Sequence, residues 1–72
     1  MDVVVQCNLR RLRKAKGYSI DQLADLVGTH KGNISKYEDN KVTMNVVTAV
    51  KFAIVLDCTL DQLFTYTSAG EA

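Results

Sequence analysis

The sequence contains no proline and no tryptophan, and among its 72 residues there are one histidine and two cysteines. The absence of proline suits a chain of short helices and suits the turns of a sheet poorly. Cys7 and Cys58 are far apart and match no Cys-x-x-Cys spacing, and a single histidine cannot complete a zinc site with them. We therefore expect no metal and no disulfide framework, but two free thiols, buried or partly exposed, in a reducing compartment.

Other functional classes also lack their usual signals. There are no carboxylates clustered at helical spacing and no phosphate-binding loop, so neither an enzyme nor a small-molecule substrate nor a cofactor is expected. The run Val3-Val4-Val5 is too short for the apolar region of a signal peptide, and no basic residue precedes it. The longest apolar stretch, residues 52–56, is too short to cross a bilayer, so we expect a cytoplasmic protein with no membrane partner.

The charge of the chain is unevenly distributed, although the net charge is only +1. Residues 7–41 carry eight basic and four acidic side chains, whereas residues 42–72 carry one basic and three acidic ones. Such asymmetry is typical of a basic face for nucleic acid. A solvated basic first helix explains the same charges equally well.

Apolar residues at helical spacing predict five short helices and an all-α fold. A first helix over residues 7–16, with Leu9, Leu12 and Ala15 inward, should end at Gly17. A capping box at residues 19–22 opens the second helix, which should reach Val27. The remaining helices are predicted over residues 31–39, 46–56 and 59–66. We expect residues 1–66 to form one domain and residues 67–72 a flexible tail.

The second helix, its turn and the third helix form a distinctive pattern. Ala24 lies four residues before Gly28, and Ile34 and Tyr37 follow that glycine at plus six and plus nine. A small residue at position 24 lets two helices cross steeply, and Gly28 supplies a positive φ that costs other residues about 1 kcal/mol or more. These constraints leave the third helix on the surface, where its first turns can enter a DNA major groove.

This pattern resembles the Cro/repressor-type helix-turn-helix domains, the XRE family. The resemblance covers about residues 9–64 and depends on order and spacing rather than on any single motif. The residues that carry it are Leu9, Leu12-Arg13, Gly17, Ser19, Gln22-Leu23-Ala24, Val27-Gly28, Asn33-Ile34-Ser35-Lys36-Tyr37-Glu38, Ala53, Leu56 and Leu60-Asp61-Gln62-Leu63-Phe64. It implies binding of an operator in double-stranded DNA, usually as a dimer, and regulation of transcription, with repression as the expected mode.

The resemblance also implies roles for individual residues. Arg13 should pair with Glu38, which agrees with the need for a cation beside an acidic residue at a helix C-terminus; two unrelated surface charges are the alternative. The base-facing positions fall on Lys31, Gly32, Asn33 and Lys36, and lysine suits guanine as asparagine suits adenine. Further DNA contacts are expected from Arg10, Gln22, Ser35 and Lys41. Each lysine is alternatively a solubilising surface charge.

Three positions in or next to the second and third helices depart from the family pattern. Ile20 stands where a phosphate-contacting glutamine is frequent, so that contact is not predicted here. His30 stands where serine or threonine usually caps the third helix, and either Thr29 takes over the cap or His30 faces a phosphate. Gly32 loosens the third helix by about 1 kcal/mol relative to alanine, and it also lets the backbone approach DNA closely.

The fourth helix has more apolar residues than a small core needs, which predicts a homodimer. Residues 46, 49, 52, 53 and 56 are enough to face the core, and the remaining Val47, Val50 and Ile54 form a second stripe. Phe64 and Tyr66 of the last helix are an alternative or additional contact. The competing interpretation is that these side chains merely cover a thin core.

A rival function keeps the fold without DNA binding, as in a protein-interaction module that neutralises a toxin. The weakness of the basic surface slightly favours this alternative. Salt-dependent affinity for DNA separates the two hypotheses, because phosphate contacts release counterions.

Overall fold

The structure, a computed structural model, describes residues 2–69. The elements follow in the order β1 (Asp2–Cys7), α1 (Leu9–Lys16), α2 (Ile20–Val27), α3 (Lys31–Glu38), α4 (Val46–Val55), α5 (Leu60–Leu63) and β2 (Phe64–Ala69). The five expected helices are therefore present in the expected order. Within residues 2–69, no helix is both long enough and apolar enough to cross a membrane.

The prediction of an all-α fold was wrong, because the two ends of the chain form an antiparallel sheet. β1 pairs with β2 from Asp2 opposite Ala69 to Cys7 opposite Phe64. Both segments are rich in β-branched or aromatic residues, which fit a pleated strand. β1 lacks the alternation that marks a strand in sequence, whereas β2 shows it over residues 64–67, where Phe64 and Tyr66 alternate with threonines. The last helix ends at Leu63, so Phe64 and Tyr66 lie in a strand and not in a helix.

The predicted tail falls partly outside the described residues. Residues 67–69 belong to β2 and are paired with β1. Residues 70–72, also assigned to the tail, lie outside the part of the chain that the structure describes.

Side-chain caps begin three of the helices where the sequence predicted them. The Ser19 hydroxyl accepts from the Gln22 amide at 3.0 Å, and the Gln22 side chain accepts from the Ser19 amide at 2.8 Å. Thr59 and Gln62 form the same reciprocal pair at the start of α5, and Asn45 accepts from Thr48 at the start of α4. Each cap satisfies amides that have no partner inside the helix.

One cluster of buried side chains joins all five helices. Its members are Leu9, Leu23, Ala24, Ile34, Ala49, Phe52, Leu56 and Leu63. The ring of Tyr37 meets Phe52 edge to face, with centroids 5.9 Å apart, a favourable aromatic geometry. Two residues expected in the core are exposed: Ala15, and Val46, which stands at the first position of α4.

Gly28 and Gly32 allow a matched test of the turn. A Cβ would meet no atom within 4 Å at either position, but Gly28 has φ +76° while Gly32 lies inside α3. Gly28→Ala should therefore destabilise the fold by about 1 kcal/mol through backbone strain alone. Gly32→Ala should stabilise it by up to about 1 kcal/mol. Urea unfolding of both variants measures the difference, and shifts of the same sign would contradict this account of the turn.

Candidate nucleic-acid interface

α2 and α3 are joined by a tight turn that fixes how α3 is presented. The amides of Gly28 and Thr29 both donate to the Ala24 carbonyl, each at 2.9 Å. Ala24 is buried at the contact between the two helices, where a larger side chain would hold them apart. α3 is therefore held by its inner face, and its outer face is left to solvent.

The outer face of α3 presents four of the residues that the sequence assigned to base contacts. Ile34 is fully buried and Tyr37 half-buried on the inner side. Lys31, Gly32, Asn33 and Lys36 are all exposed. The exposed face of α3 thus carries two cations, one amide side chain and one position without a side chain.

The N-terminus of α3 has no side-chain cap. His30 is the N-cap residue, it is exposed, and its imidazole makes no capping hydrogen bond. Thr29 does not replace it, because its hydroxyl instead accepts a 3.0 Å hydrogen bond from the Asn33 side chain. The first amides of α3 are therefore available to an anion, and the Asn33 side-chain amide is oriented by a neighbour.

A cleft of about 530 Å³ runs between the starts of α2 and α3. Its lining residues are Arg13, Ser19, Ile20, Asp21, Lys31, Gly32 and Ser35. Ile20 gives this cleft an apolar wall where the family often has glutamine. Among the charged residues that line the cleft, Asp21 is negative and Arg13 and Lys31 are positive.

Glu38 ends α3 inside a network of arginines. Arg13 Nε and Nη2 donate to the two carboxylate oxygens at 2.6 and 3.2 Å, and Arg13 Nη1 donates to the Tyr18 carbonyl at 3.0 Å. The side chains of Arg13 and Glu38 are only 10% and 1% exposed. Two-point geometry of this kind fixes both position and angle, so the pair ties the end of α3 to α1.

Arg10 belongs to the same network. Its Nε donates to Glu38 Oε1 at 3.2 Å and its Nη2 to Asp39 Oδ1 at 2.7 Å. Hydrogen bonds that Arg10 donates to Glu38 and, second in size, to Asp39 raise the pKa of its guanidinium above the ordinary value. The side chain remains half-exposed, but a phosphate contact at Arg10 would compete with these carboxylates.

The other residues predicted to contact DNA lie on α2, on α3 and in the loop after α3. Ser35 is half-buried in the cleft, and Lys41 is exposed in the loop after α3. The Gln22 side chain is exposed, with its oxygen committed to the cap at Ser19 and its amino group still able to donate.

Sequence reasoning missed the residue that connects the loop after α3 to the sheet. The Asn40 side chain accepts a 2.8 Å hydrogen bond from the Cys7 amide, and Asn40 itself has φ +57°. Asparagine tolerates this left-handed conformation better than most residues. An asparagine directly after the third helix was therefore the one sequence feature that could have pointed to this turn. The link places the end of β1 against the segment that follows α3.

Both cysteines are free and half-buried. Burial raises the pKa of each thiol, so the reactive thiolate is disfavoured. Among residues 2–69, no group of three or more histidine, cysteine or carboxylate side chains could hold a metal ion.

The residues predicted to form a dimer contact lie on two separate elements. Val47, Val50 and Ile54 are exposed on α4, with Val47 at 66% and Ile54 at 74%. Tyr66 is exposed on β2, whereas Phe64 is half-buried against the core.

Five helices with an outward-facing third helix define a helix-turn-helix domain, and comparison with known proteins agrees. The profile of the helix-turn-helix family matches residues 9–63. The chain is 32% identical over 62 residues to the SPbeta prophage-derived uncharacterized HTH-type transcriptional regulator YopS of Bacillus subtilis (strain 168), covering 85% of this chain and 84% of that protein. The chain therefore belongs to the helix-turn-helix family, which confirms the Cro/repressor-type resemblance.

Two solved structures are similar to this one. The restriction-modification controller protein C.AhdI from Aeromonas hydrophila has a TM-score of 0.68 and 35% identity, covering 72% of this chain and 79% of that one. SinR of Bacillus subtilis, the master regulator for biofilm formation, was solved in complex with DNA. It has a TM-score of 0.68 and 32% identity, covering 72% of this chain and 84% of that one.

The ion pair can be tested with a double-mutant cycle. Removing Glu38 leaves a buried guanidinium without its partner, so Glu38→Ala should cost about 3 kcal/mol or more, and Glu38→Gln less. Arg13→Ala combined with Glu38→Ala should cost less than the sum of the two single changes, with a coupling above about 1 kcal/mol.

Arg10 and Asp39 provide the control cycle. Their side chains are 53% and 43% exposed, so their coupling should stay below about 1 kcal/mol. Urea unfolding gives all the values. Strictly additive effects at Arg13 and Glu38 would contradict the structural role assigned to the pair.

Proposed function

We propose that this chain is a sequence-specific, double-stranded-DNA-binding transcription regulator that reads the major groove with α3. The observation that carries the proposal is the exposed N-terminal half of α3, which is held by the contact with α2 and by the Arg13–Glu38 pair at its C-terminal end. A helix about 10–12 Å across with its side chains fits a major groove about 12 Å wide.

The base contacts are assigned to exposed side chains of α3. Lys31 and Lys36 can donate to guanine O6 and N7, and Asn33 can pair with the adenine edge. Thr29 holds the Asn33 amide nitrogen at 3.0 Å, which leaves the amide oxygen to accept from adenine N6. Gly32 lets the α3 backbone approach the base edges, because no side chain intervenes.

The phosphate contacts are assigned to groups around α3. The uncapped amides at the start of α3 favour an anion, and the exposed His30 lies beside them. Lys41 reaches the backbone from the following loop, and the Gln22 amino group and the Ser35 hydroxyl add neutral donors. Arg10 contributes only if a phosphate displaces Glu38 or Asp39 from its guanidinium.

The regulator is proposed to act in the cytoplasm as a homodimer on a two-fold symmetric operator, with repression as its mode. Two recognition helices must lie about 34–36 Å apart to occupy successive major grooves on one face of the duplex, which one domain cannot achieve. The exposed stripe of Val47, Val50 and Ile54 on α4, and Tyr66 on β2, are the apolar surfaces available for self-association.

A protein-interaction module is the second candidate function. Its support is the pairing of Arg10 within the chain, which removes one cation from the surface that DNA would meet. Selecting the sequences that the protein binds from a pool of random DNA duplexes distinguishes a DNA-binding regulator from a protein-interaction module. A DNA regulator yields a palindromic consensus with affinity that falls steeply with salt, whereas an interaction module enriches no sequence.

The division between base and phosphate contacts gives a paired prediction. Asn33→Ala should relax preference at one base position of each half-site and cost about 1–3 kcal/mol on the selected sequence. Lys41→Ala should weaken binding to all sequences about equally and reduce the slope of log affinity against log salt by about 1. Fluorescence anisotropy over a salt series on selected and scrambled duplexes measures both. Identical behaviour of Asn33→Ala and wild type on every duplex would show that α3 is not the reading element.

A further inference from the structure

The outer edge of β1 is covered by the Asn40 side chain at Cys7, but over residues 3–6 it has no charged residue and no proline. Natural edge strands are usually interrupted by lysine, proline or a bulge. β1 reads Asp-Val-Val-Val-Gln-Cys and contains none of these. Val3, Val4 and Val5 are 58%, 47% and 47% exposed, and β-branched residues of this kind have high β-propensity.

The hydrogen-bonding pattern of the sheet shows which backbone amides and carbonyls of β1 point away from β2. The Asn8 amide donates to the Leu63 carbonyl at 2.7 Å, one residue beyond the Cys7–Phe64 pair. Because bonded and non-bonded pairs alternate in an antiparallel ladder, the amides and carbonyls of Val3, Val5 and Cys7 point away from β2. The hydrogen bond that the Cys7 amide donates to the Asn40 side chain at 2.8 Å agrees with this direction, because Asn40 lies on the side of β1 away from β2.

Within residues 2–69, Val3 and Val5 are therefore the residues of this edge whose amide and carbonyl both lack a partner, whereas at Cys7 the amide is already bound to Asn40. We propose that this edge pairs antiparallel with the β1 edge of a second copy of the chain, making a four-stranded sheet. In the one antiparallel register in which Val3 and Val5 both pair through their amide and their carbonyl, Val3 faces Val5 of the second copy and Val4 lies on the two-fold axis. Four backbone hydrogen bonds form across the axis.

Charge is compatible with self-pairing in this register. The sheet carries no charged side chain over residues 3–7 and 64–69. Asp2, at the start of β1, falls opposite Gln6 of the second copy, so the two carboxylates lie at opposite ends of the pairing. Like charges do not meet anywhere along the contact, which favours a second copy over a charged partner.

The two faces of the sheet also match across the axis. Residues directly opposite each other point to the same face, so Val3, Val5 and Tyr66 share one face with Cys7 and Phe64, which pack against the core. A two-fold axis perpendicular to the sheet preserves the faces, and the apolar faces of the two copies become continuous. By contrast, the α4 stripe borders the exposed Lys51.

The inference deepens the proposed function by naming the surface through which two copies meet. A strand edge covers less than the roughly 800 Å² per partner of a standard interface. The expected association is therefore weak in free protein and stronger on an operator that binds both copies.

Charge reversal at the axis tests the register directly. Val4→Lys places two ammonium groups opposite each other in a homodimer, and Val4→Glu places two carboxylates there. Each variant alone should self-associate on the order of tenfold more weakly than wild type, and an equimolar mixture should restore association through the Lys–Glu pair. Sedimentation velocity of each protein and of the mixture measures this, with circular dichroism to verify folding.

Two further variants serve as controls. Leu26→Lys puts the same charge on an apolar side chain of α2 that is 54% exposed and is assigned to no contact, and it should leave self-association unchanged. Val3→Pro removes an outward amide without touching the β1–β2 ladder and should weaken association, whereas Val3→Thr keeps that amide and should not.

Three results would overturn the proposal: a wild-type chain that is monomeric at high micromolar concentration, Val4 variants that associate like wild type, or a mixture that is no stronger than its components. Binding to a single half-site needs only one domain. Its absence in wild-type protein would count against the proposed DNA function and not against the β1 contact, so the two failures are distinguishable.

Discussion

The carboxylate of Glu38 is the constraint on which the arrangement of this small domain most depends. It ends α3, it is almost fully buried, and it receives hydrogen bonds from Arg13 and Arg10 of α1. A buried carboxylate without such partners would cost several kcal/mol, a large share of the stability of a chain this short. The sequence is therefore compatible with few orientations of α3 relative to α1.

The orientation of α3 depends on this ion pair at one end and on the Ala24–Gly28 turn at the other. Between these two points α3 buries Ile34 and packs Tyr37 against Phe52, which leaves its opposite face to solvent. A DNA-reading helix needs this arrangement, because base readout requires side chains held to within fractions of an ångström by a rigid support. The function thus follows from how α3 is held as much as from the residues that it exposes.

Short-range sequence signals made the helices and the turn between α2 and α3 predictable. The capping boxes at Ser19 and Thr59 and the glycine at position 28 act over a few residues, so pattern alone located the helices. The Arg13–Glu38 contact required the family resemblance, because nothing local connects residues 25 positions apart. The sheet was not predicted, because the valines of β1 do not alternate with polar residues and their partners lie about 60 residues away in the chain. The alternation in β2 was assigned to the end of the last helix. The Asn40–Cys7 bond depends on that sheet and was missed with it.

The most direct test of the central claim is a nuclear magnetic resonance titration of isotope-labelled protein with a selected half-site duplex. If the N-terminal half of α3 enters the major groove, the largest amide shifts should fall on residues 30–36 and on Lys41. The amides of α4 and of the sheet should change little, because a half-site engages one domain. Shifts concentrated on α4 or the sheet, with α3 unaffected, would contradict the account.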